Sequence, residues 1–319
     1  MWGNKQGWLA SACLVLLVAW PLWRAARPPR VSGPSGAFPE LLSKVALPGD
    51  LRGVVPGAMA EPCDAGELYR QAIDEYEANA RQYEKYFKNP RTAQADKPKT
   101  VGLLLEASRC SGMGLFAKTP SEVLNYQSDT PAVEAIEKLG RMANQLGLLY
   151  RIDKKPEDAR RHFAAMYALG YHLYAERVGW SEFVAGVNLM ADAARGLAKV
   201  EADAGDAGRA AALEQFAKAA DEYKLKQFEV YKVVSSIDTG LVGRHGGDVL
   251  ALARSSPETM WRGEAALALG RMKYNTPNRG DQLAAAREVR RLTTDPNPAV
   301  RAAASAADAL TLDKYRTLR

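Results

Sequence analysis

Two stretches near the carboxy-terminal end repeat each other at a shift of 39 residues, and this constrains the fold more than any other feature of the chain. Pro257 falls on Pro296, Trp261 on Val300, Arg262 on Arg301, and Ala265-Ala266 on Ala304-Ser305. Ser256 falls on Asp295, so each copy has a side chain able to cap a helix directly before its Pro. A helix-forming stretch stands upstream of each copy, residues 248–254 in the first and 281–292 in the second. A unit of two helices and a short turn cannot bury its apolar face alone, so such units stack on one another. Ala302, Ala303, Ala304, Ala306 and Ala307 let stacked helices approach closely, and Arg262 and Arg301 are placed to reach loop carbonyls or an acid.

The phrases ETMWRGEAALALGRM and NPAVRAAASAADALT resemble the second helix of HEAT repeats, over about 248–311. The copy opened by Asp295-Pro296 follows the Asp-Pro-x-x-x-Val-Arg-x-x-Ala pattern closely, whereas the first departs from it at Ser256 and Trp261. Upstream, Leu146, Gly147, Tyr150, Ala159 and Phe163 stand at the spacings of a tetratricopeptide unit over about 140–173. Lys154-Lys155-Pro156 occupies its turn, and Tyr171 replaces the Pro usual at its end. Ala212, Phe216 and Ala219, after Ala204-Gly205-Asp206, hint at another copy. Both resemblances imply an α-solenoid of stacked hairpins, a class whose concave surfaces mostly bind other proteins.

Helical periodicity also fills the rest of the body. Asp64 is placed to cap a helix running to about Phe87, with Leu68, Ala72, Ile73, Tyr76, Ala80, Tyr83 and Phe87 along one stripe. A polar break over 89–99 separates it from a short helix carrying Val101 to Leu105. Further helices are predicted over about 131–150, 156–178, 181–202 with Ser181 as cap, and 207–234. Thr119-Pro120 and Thr130-Pro131 each set a hydroxyl before a Pro at the first helical position. No run alternates as a strand, so the body is predicted to be all-α. Gly240, Gly243, Gly246 and Gly247 mark a hinge over 239–247, between a helical domain at 63–238 and the HEAT-like section at 248–319.

The amino-terminal end is of another kind. After a flank at 1–6, residues 7–23 hold no charge, with Lys5 before them and Arg24 directly after. As a helix the segment reaches roughly 25 Å, near the span of a bilayer core, so it is read as a single transmembrane helix in contact with lipid. Trp8, Trp20 and Trp23 sit where interfacial indoles belong, with Arg24 as the adjoining charged anchor. A cleaved signal peptide and a buried core helix are the competing readings; RAARPPR after the apolar run offers no clean small-x-small cleavage site. Residues 24–62 follow as a Pro/Gly-rich linker, with seven Pro over 28–62 and a short helical turn predicted over 39–45.

Charge and cysteine bear on placement. The net +6 divides into +4 over residues 1–30, −3 over 31–239 and +5 over 240–319. With no continuous basic stripe in the middle, no nucleic-acid partner is expected. The positive-inside count, set by Arg24, Arg27 and Arg30, places the body in the cytoplasm, while an ordinary signal-anchor places it outside. Cys63 and Cys110 would lie at the same end of a helical hairpin, so they are a candidate disulfide that favours an exported, periplasmic or extracellular body; two buried thiols are the alternative.

Chemistry is sparse. No phosphate loop, nucleophile elbow, H-E-x-x-H or CxxC is present, so no catalytic residue, cofactor or metal ligand is assigned. Asp158/His162 and His172/Glu176 are (i, i+4) pairs, but the two His stand about 80° apart around the helix, poorly placed to converge on one ion. Trp180 and Trp261 are the only Trp beyond the apolar segment; both suit a core, and Trp261 is also a candidate partner-binding aromatic. The sequence is therefore read as a non-enzymatic, membrane-anchored interaction or assembly scaffold for a protein partner. An enzyme or enzyme subunit of the lyase-like HEAT type, or an exported helical protein after signal cleavage, are the alternatives.

Overall fold

The computed structural model describes residues 47–318, apart from 125, 127–130 and 240–241. The apolar segment at 7–23, with Trp8, Trp20, Trp23 and Arg24, lies outside the described residues, as does the turn predicted at 39–45. No helix among the described residues is long and apolar enough to cross a membrane.

The described part of the chain opens with turns over 47–59 that lie on the helical body. Leu47, Leu51, Val55 and Met59, four residues apart, are all buried in the main core, so the carboxy-terminal part of the predicted linker is a packed strap and not a free spacer. Tyr167 donates its hydroxyl to the Leu51 carbonyl at 2.8 Å, and Arg209 reaches the Val54 carbonyl. Next comes β1 (Glu61–Asp64), which pairs in parallel with β2 (Cys110–Gly112). The described residues are mostly helical, as the all-α expectation has it, and this two-stranded pair is a small addition that the sequence did not signal: three or four residues carry too few positions for alternation to show.

Between the strands stand α1 (Gly66–Ala78), α2 (Ala80–Lys88), α3 (Pro90–Asp96) and α4 (Lys99–Ala107). The expected single helix to Phe87 breaks at Asn79, whose side-chain amide donates to the Glu75 carbonyl at 3.1 Å. The predicted polar break holds α3, which starts on Pro90 and is closed by Lys97 at φ +51°. The N-cap of α1 is Ala65, one residue past the expected Asp64; Asp64 Oδ1 instead accepts the N–H of Gly66 at 2.8 Å and that of Gly114 at 2.8 Å, tying the loop after β2 to the start of α1.

After the short α5 (Pro120–Val123), four long helices run as antiparallel hairpins: α6 (Pro131–Ile152), α7 (Pro156–Glu176), α8 (Trp180–Asp203) and α9 (Ala207–Ser235). Asp206 caps α9 by accepting the Arg209 N–H at 2.8 Å. Helix α8 begins one residue earlier than predicted, on a Gly179 N-cap, and Ser181 makes no cap bond. α7 and α8 form the most extensive contact in the fold. They cross at Gly170 and Gly186, where an added Cβ would come within 2.7 Å of backbone atoms on the facing helix. Phe163 fills the space left by Gly147 and Gly196.

A 3₁₀ turn (Ser236–Thr239) leads to α10 (Val242–Ser255), α11 (Thr259–Asn275), α12 (Arg279–Leu292), α13 (Pro298–Asp308) and α14 (Leu312–Thr317). The predicted hinge at 239–247 is mostly helix, since α10 includes Gly243, Gly246 and Gly247. Glycine costs about 1 kcal/mol in a helix interior, and packing of Val249, Leu252 and Ala253 in the core offsets it. The aligned positions of the internal repeat make matching bonds. Arg262 donates to the carbonyls of Ser256 and Pro257 at 2.9 and 3.2 Å, and Arg301 to those of Asp295 and Pro296 at 2.8 Å each. Ser256 Oγ accepts the Glu258 N–H, and Asp295 Oδ1 the Asn297 N–H. The helix N-caps are consequently Glu258 and Asn297, two residues past the expected ones.

Candidate functional site

Cys63 and Cys110 are joined as a disulfide across the β1–β2 pair, with their Cα atoms 4.7 Å apart. Buried behind it is His172, whose ring nitrogens are both engaged. A carbonyl only accepts, so Nε2–H donates to the Cys110 oxygen at 2.9 Å and Nδ1 accepts the Tyr69 hydroxyl at 2.9 Å. Burial pushes the imidazole down to about 4 and the Tyr69 phenol up. A neutral imidazole with no free nitrogen is a bracket for the disulfide end of the fold, not a base.

The side-chain pairs suggested by (i, i+4) spacing on α7 do not form. His162 Nδ1 donates to the backbone carbonyl of Asp158 at 2.8 Å, and Glu176 turns to the backbone N–H of Ala117. Among the described residues, no group of three or more His, Cys, Asp or Glu is arranged to hold a metal ion. Trp261 is not a surface anchor. It is 1% exposed, donates its indole N–H to Gln227 Oε1 at 3.1 Å and lies against Trp180, which in turn stacks on Tyr231 at 4.5 Å. The reason is its position on the buried face of α11, where a large ring bridges to α9.

Concave surface with ungrouped charge occurs instead along α4 and α7. One cleft of about 530 Å³ is lined by Lys97, Lys99, Leu105, Tyr150, Arg161 and His162. A second, of about 710 Å³, lies between residues 55–58 of the strap and helices α4, α7, α8 and α9, with Arg160, Leu197 and Leu213 on its walls. Both clefts include Leu105 and Arg161, so they adjoin as one groove. Leu105 and Ala164 are half-buried in it, while Leu197 and Leu213 are buried and supply the apolar floor.

Two kinds of cation line this groove. Arg160 is fixed by a bidentate pair with Glu201, both bonds 2.9 Å, and by Glu157 at 2.6 Å. Lys97, Lys99 and the exposed Arg161 have no ion-pair partner among the described residues. His162 stands beside them with its ring 4.9 Å from that of Tyr150, and burial holds its imidazole below the ordinary value. Its Nδ1 is engaged by the Asp158 carbonyl, and its ring is part of the lining of the first cleft. Chemically the groove offers an apolar floor and the cations Lys97, Lys99 and Arg161, with Glu106, Asp158 and the His162 ring also on its lining.

Sequence reasoning did not reach this groove, because its walls come from residues near 55, 97–109, 150–164, 197–201 and 206–213. No single helix carries the pattern. Comparisons with protein-family models, with curated proteins and with solved structures give no match for this chain.

Proposed function

We propose that this chain is a membrane-tethered helical scaffold that docks an extended, acidic segment of a partner protein in the groove between α4 and α7. The observation that carries this reading is the pair of adjoining clefts sharing Leu105 and Arg161. An extended segment sets apolar side chains on the floor and turns carboxylates toward Lys97, Lys99 and Arg161, the complementarity that speeds encounter and fixes register. The HEAT-like and tetratricopeptide-like resemblances support a binding role by analogy, since stacked hairpins build concave surfaces. In this reading residues 7–23 are the membrane tether. The Cys63–Cys110 bond argues for a body on the oxidising, exported side. No chemical step is assigned to the groove.

The test uses the full chain in detergent, titrated with short synthetic peptides that alternate apolar residues with either Glu or Lys. The Glu set is expected to bind, more weakly as salt rises, and Arg161→Glu to lower its affinity about tenfold, the equivalent of roughly 1.4 kcal/mol. Equal binding of both sets, or an Arg161→Glu protein that binds as the wild type does, overturns the proposal.

A further inference from the structure

Helix α12 turns a line of arginines outward. Arg279, Leu283, Arg287 and Arg290 follow one another at spacings of four, four and three residues, so they share one face, and all four are exposed. Leu283, standing between arginines, is 58% exposed. The opposite face, through Ala285, Val289 and Leu292, is buried in the core against α10, α11 and α13.

The acids of this section are turned the other way. Asp248, Glu288 and Asp295 are all buried. Glu288 is shared by two guanidiniums, Arg254 of α10 at 3.1 Å and Arg291 of α12 at 2.6 Å, so one negative charge meets two positive ones. Arg291 also donates to the Ala253 carbonyl at 2.9 Å, which pins α12 to α10. On the outward line Arg290 comes only within 3.9 Å of Asp308, and Arg279 and Arg287 have no ion-pair partner among the described residues. Five arginines, 254, 279, 287, 290 and 291, thus stand against Asp281, Glu288 and Asp308, and of these three acids only Asp308 is exposed. The positive excess of residues 240–319 is displayed on this face instead of being cancelled within the fold.

We propose that this face of α12 rests on an anionic phospholipid surface. Guanidinium forks match the oxygens of phosphodiesters, and each cation brought near such a surface raises its occupancy about fivefold. A single apolar side chain among them suits the headgroup boundary: Leu283 enters the edge of the acyl region while the arginines stay with the phosphates. An acidic protein partner needs recesses for its own side chains, and the clefts described above lie along α4 and α7, not on α12. The inference rests on residues 7–23 as the membrane tether for one point, proximity. Residues 24–46 reach at most about 80 Å when fully extended, which keeps the body beside the bilayer that α12 is to touch. The tether then sets where the chain enters the membrane, and α12 sets which way the body lies on it.

A reporter on α12 of the full chain tests this. In a Cys13→Ser background, Leu283→Cys carries an apolar fluorophore, and the chain is assembled into nanodiscs of phosphatidylcholine alone or with about 30% phosphatidylglycerol. Quenching by aqueous acrylamide is expected to fall at least about threefold in the phosphatidylglycerol discs, and to recover at high salt. The fall should vanish when Arg279→Gln, Arg287→Gln and Arg290→Gln are combined, and should be absent for the same fluorophore on Glu222→Cys, an exposed position of α9. Equal quenching in both discs, a fall that survives the triple substitution, or an equal fall at position 222 overturns the proposal. Shielding by polyglutamate but not by phosphatidylglycerol assigns the face to an acidic protein and overturns it too. If residues 7–23 do not insert, flotation of the full chain with preformed vesicles of the same two compositions decides. Flotation only with phosphatidylglycerol, lost in the triple variant, upholds the α12 contact and dismisses the tether; flotation that is absent or indifferent to phosphatidylglycerol overturns the contact.

Discussion

Behind the disulfide, the Tyr69–His172–Cys110 chain of hydrogen bonds fixes one tautomer and leaves the imidazole no room for a second proton. Its pH signature follows from the sign of the shift. With the folded value lowered to about 4 against an ordinary value near 6.5, the unfolded chain binds more protons in that window. The network's stabilisation is complete above about 6.5 and is lost as pH falls toward 4. Glu176 has the opposite sign, because its folded value is raised: stability falls as pH rises between about 4.5 and 7. The two slopes oppose each other over their overlap, so the ring must be followed directly. The Cε1 proton of His172 is expected to stay at its neutral shift down to about pH 5 and to titrate near 4; a midpoint near 6.5 would mean that the buried bonds do not exist in solution.

Among the helices, the carboxy-terminal stack is tied by polar bonds as much as by small residues. Arg262 of α11 grips Asp295, ahead of α13, through Nε at 3.1 Å and Nη2 at 3.3 Å, while also holding two carbonyls of its own turn. Asp295 is 7% exposed and keeps only the Asn297 N–H if the arginine is removed. Arg262→Leu is expected to lower the stability of the full chain to denaturant by about 3 kcal/mol, and Arg262→Lys to recover only part of it, since an ammonium cannot form the fork. An unchanged midpoint counts against the pairing. This tie explains why helices 131–235 and the aligned segments were legible: long 3.6-residue stripes, Pro at the first turn and paired Arg positions all act locally. What escaped acts across the chain. The seven-residue α3 is too short for a stripe, Gly246 and Gly247 are helical because neighbours bury them, and the buried oxygens of Glu176 and Glu182 are enclosed only after the turn folds. The groove was equally hidden, since Arg161 reads as one more surface charge until α4 is laid beside it.

For the whole molecule, the disulfide closes a loop of 47 residues holding α1 to α4. By the chain-entropy account a loop of that length contributes about 4 kcal/mol, so replacing Cys63 and Cys110 together by Ser should cost roughly 2–4 kcal/mol in denaturant unfolding of the full chain. A loss below about 1 kcal/mol would show that the strap and the β1–β2 pair hold that end without the bond. The strap itself was read as a spacer because Pro48, Gly49, Gly53, Pro56 and Gly57 forbid a regular helix. Those residues do not prevent Leu47, Leu51, Val55 and Met59 from packing through successive turns. Strap and disulfide together also set how the fold bears mechanical load. Tension entering at residue 47 peels the strap from Tyr167 and Arg209 and then meets the covalent bond at Cys63. From there the force passes directly to Cys110, so α1 to α4 lie outside the load path, shielded from a pull that the rest of the chain must carry.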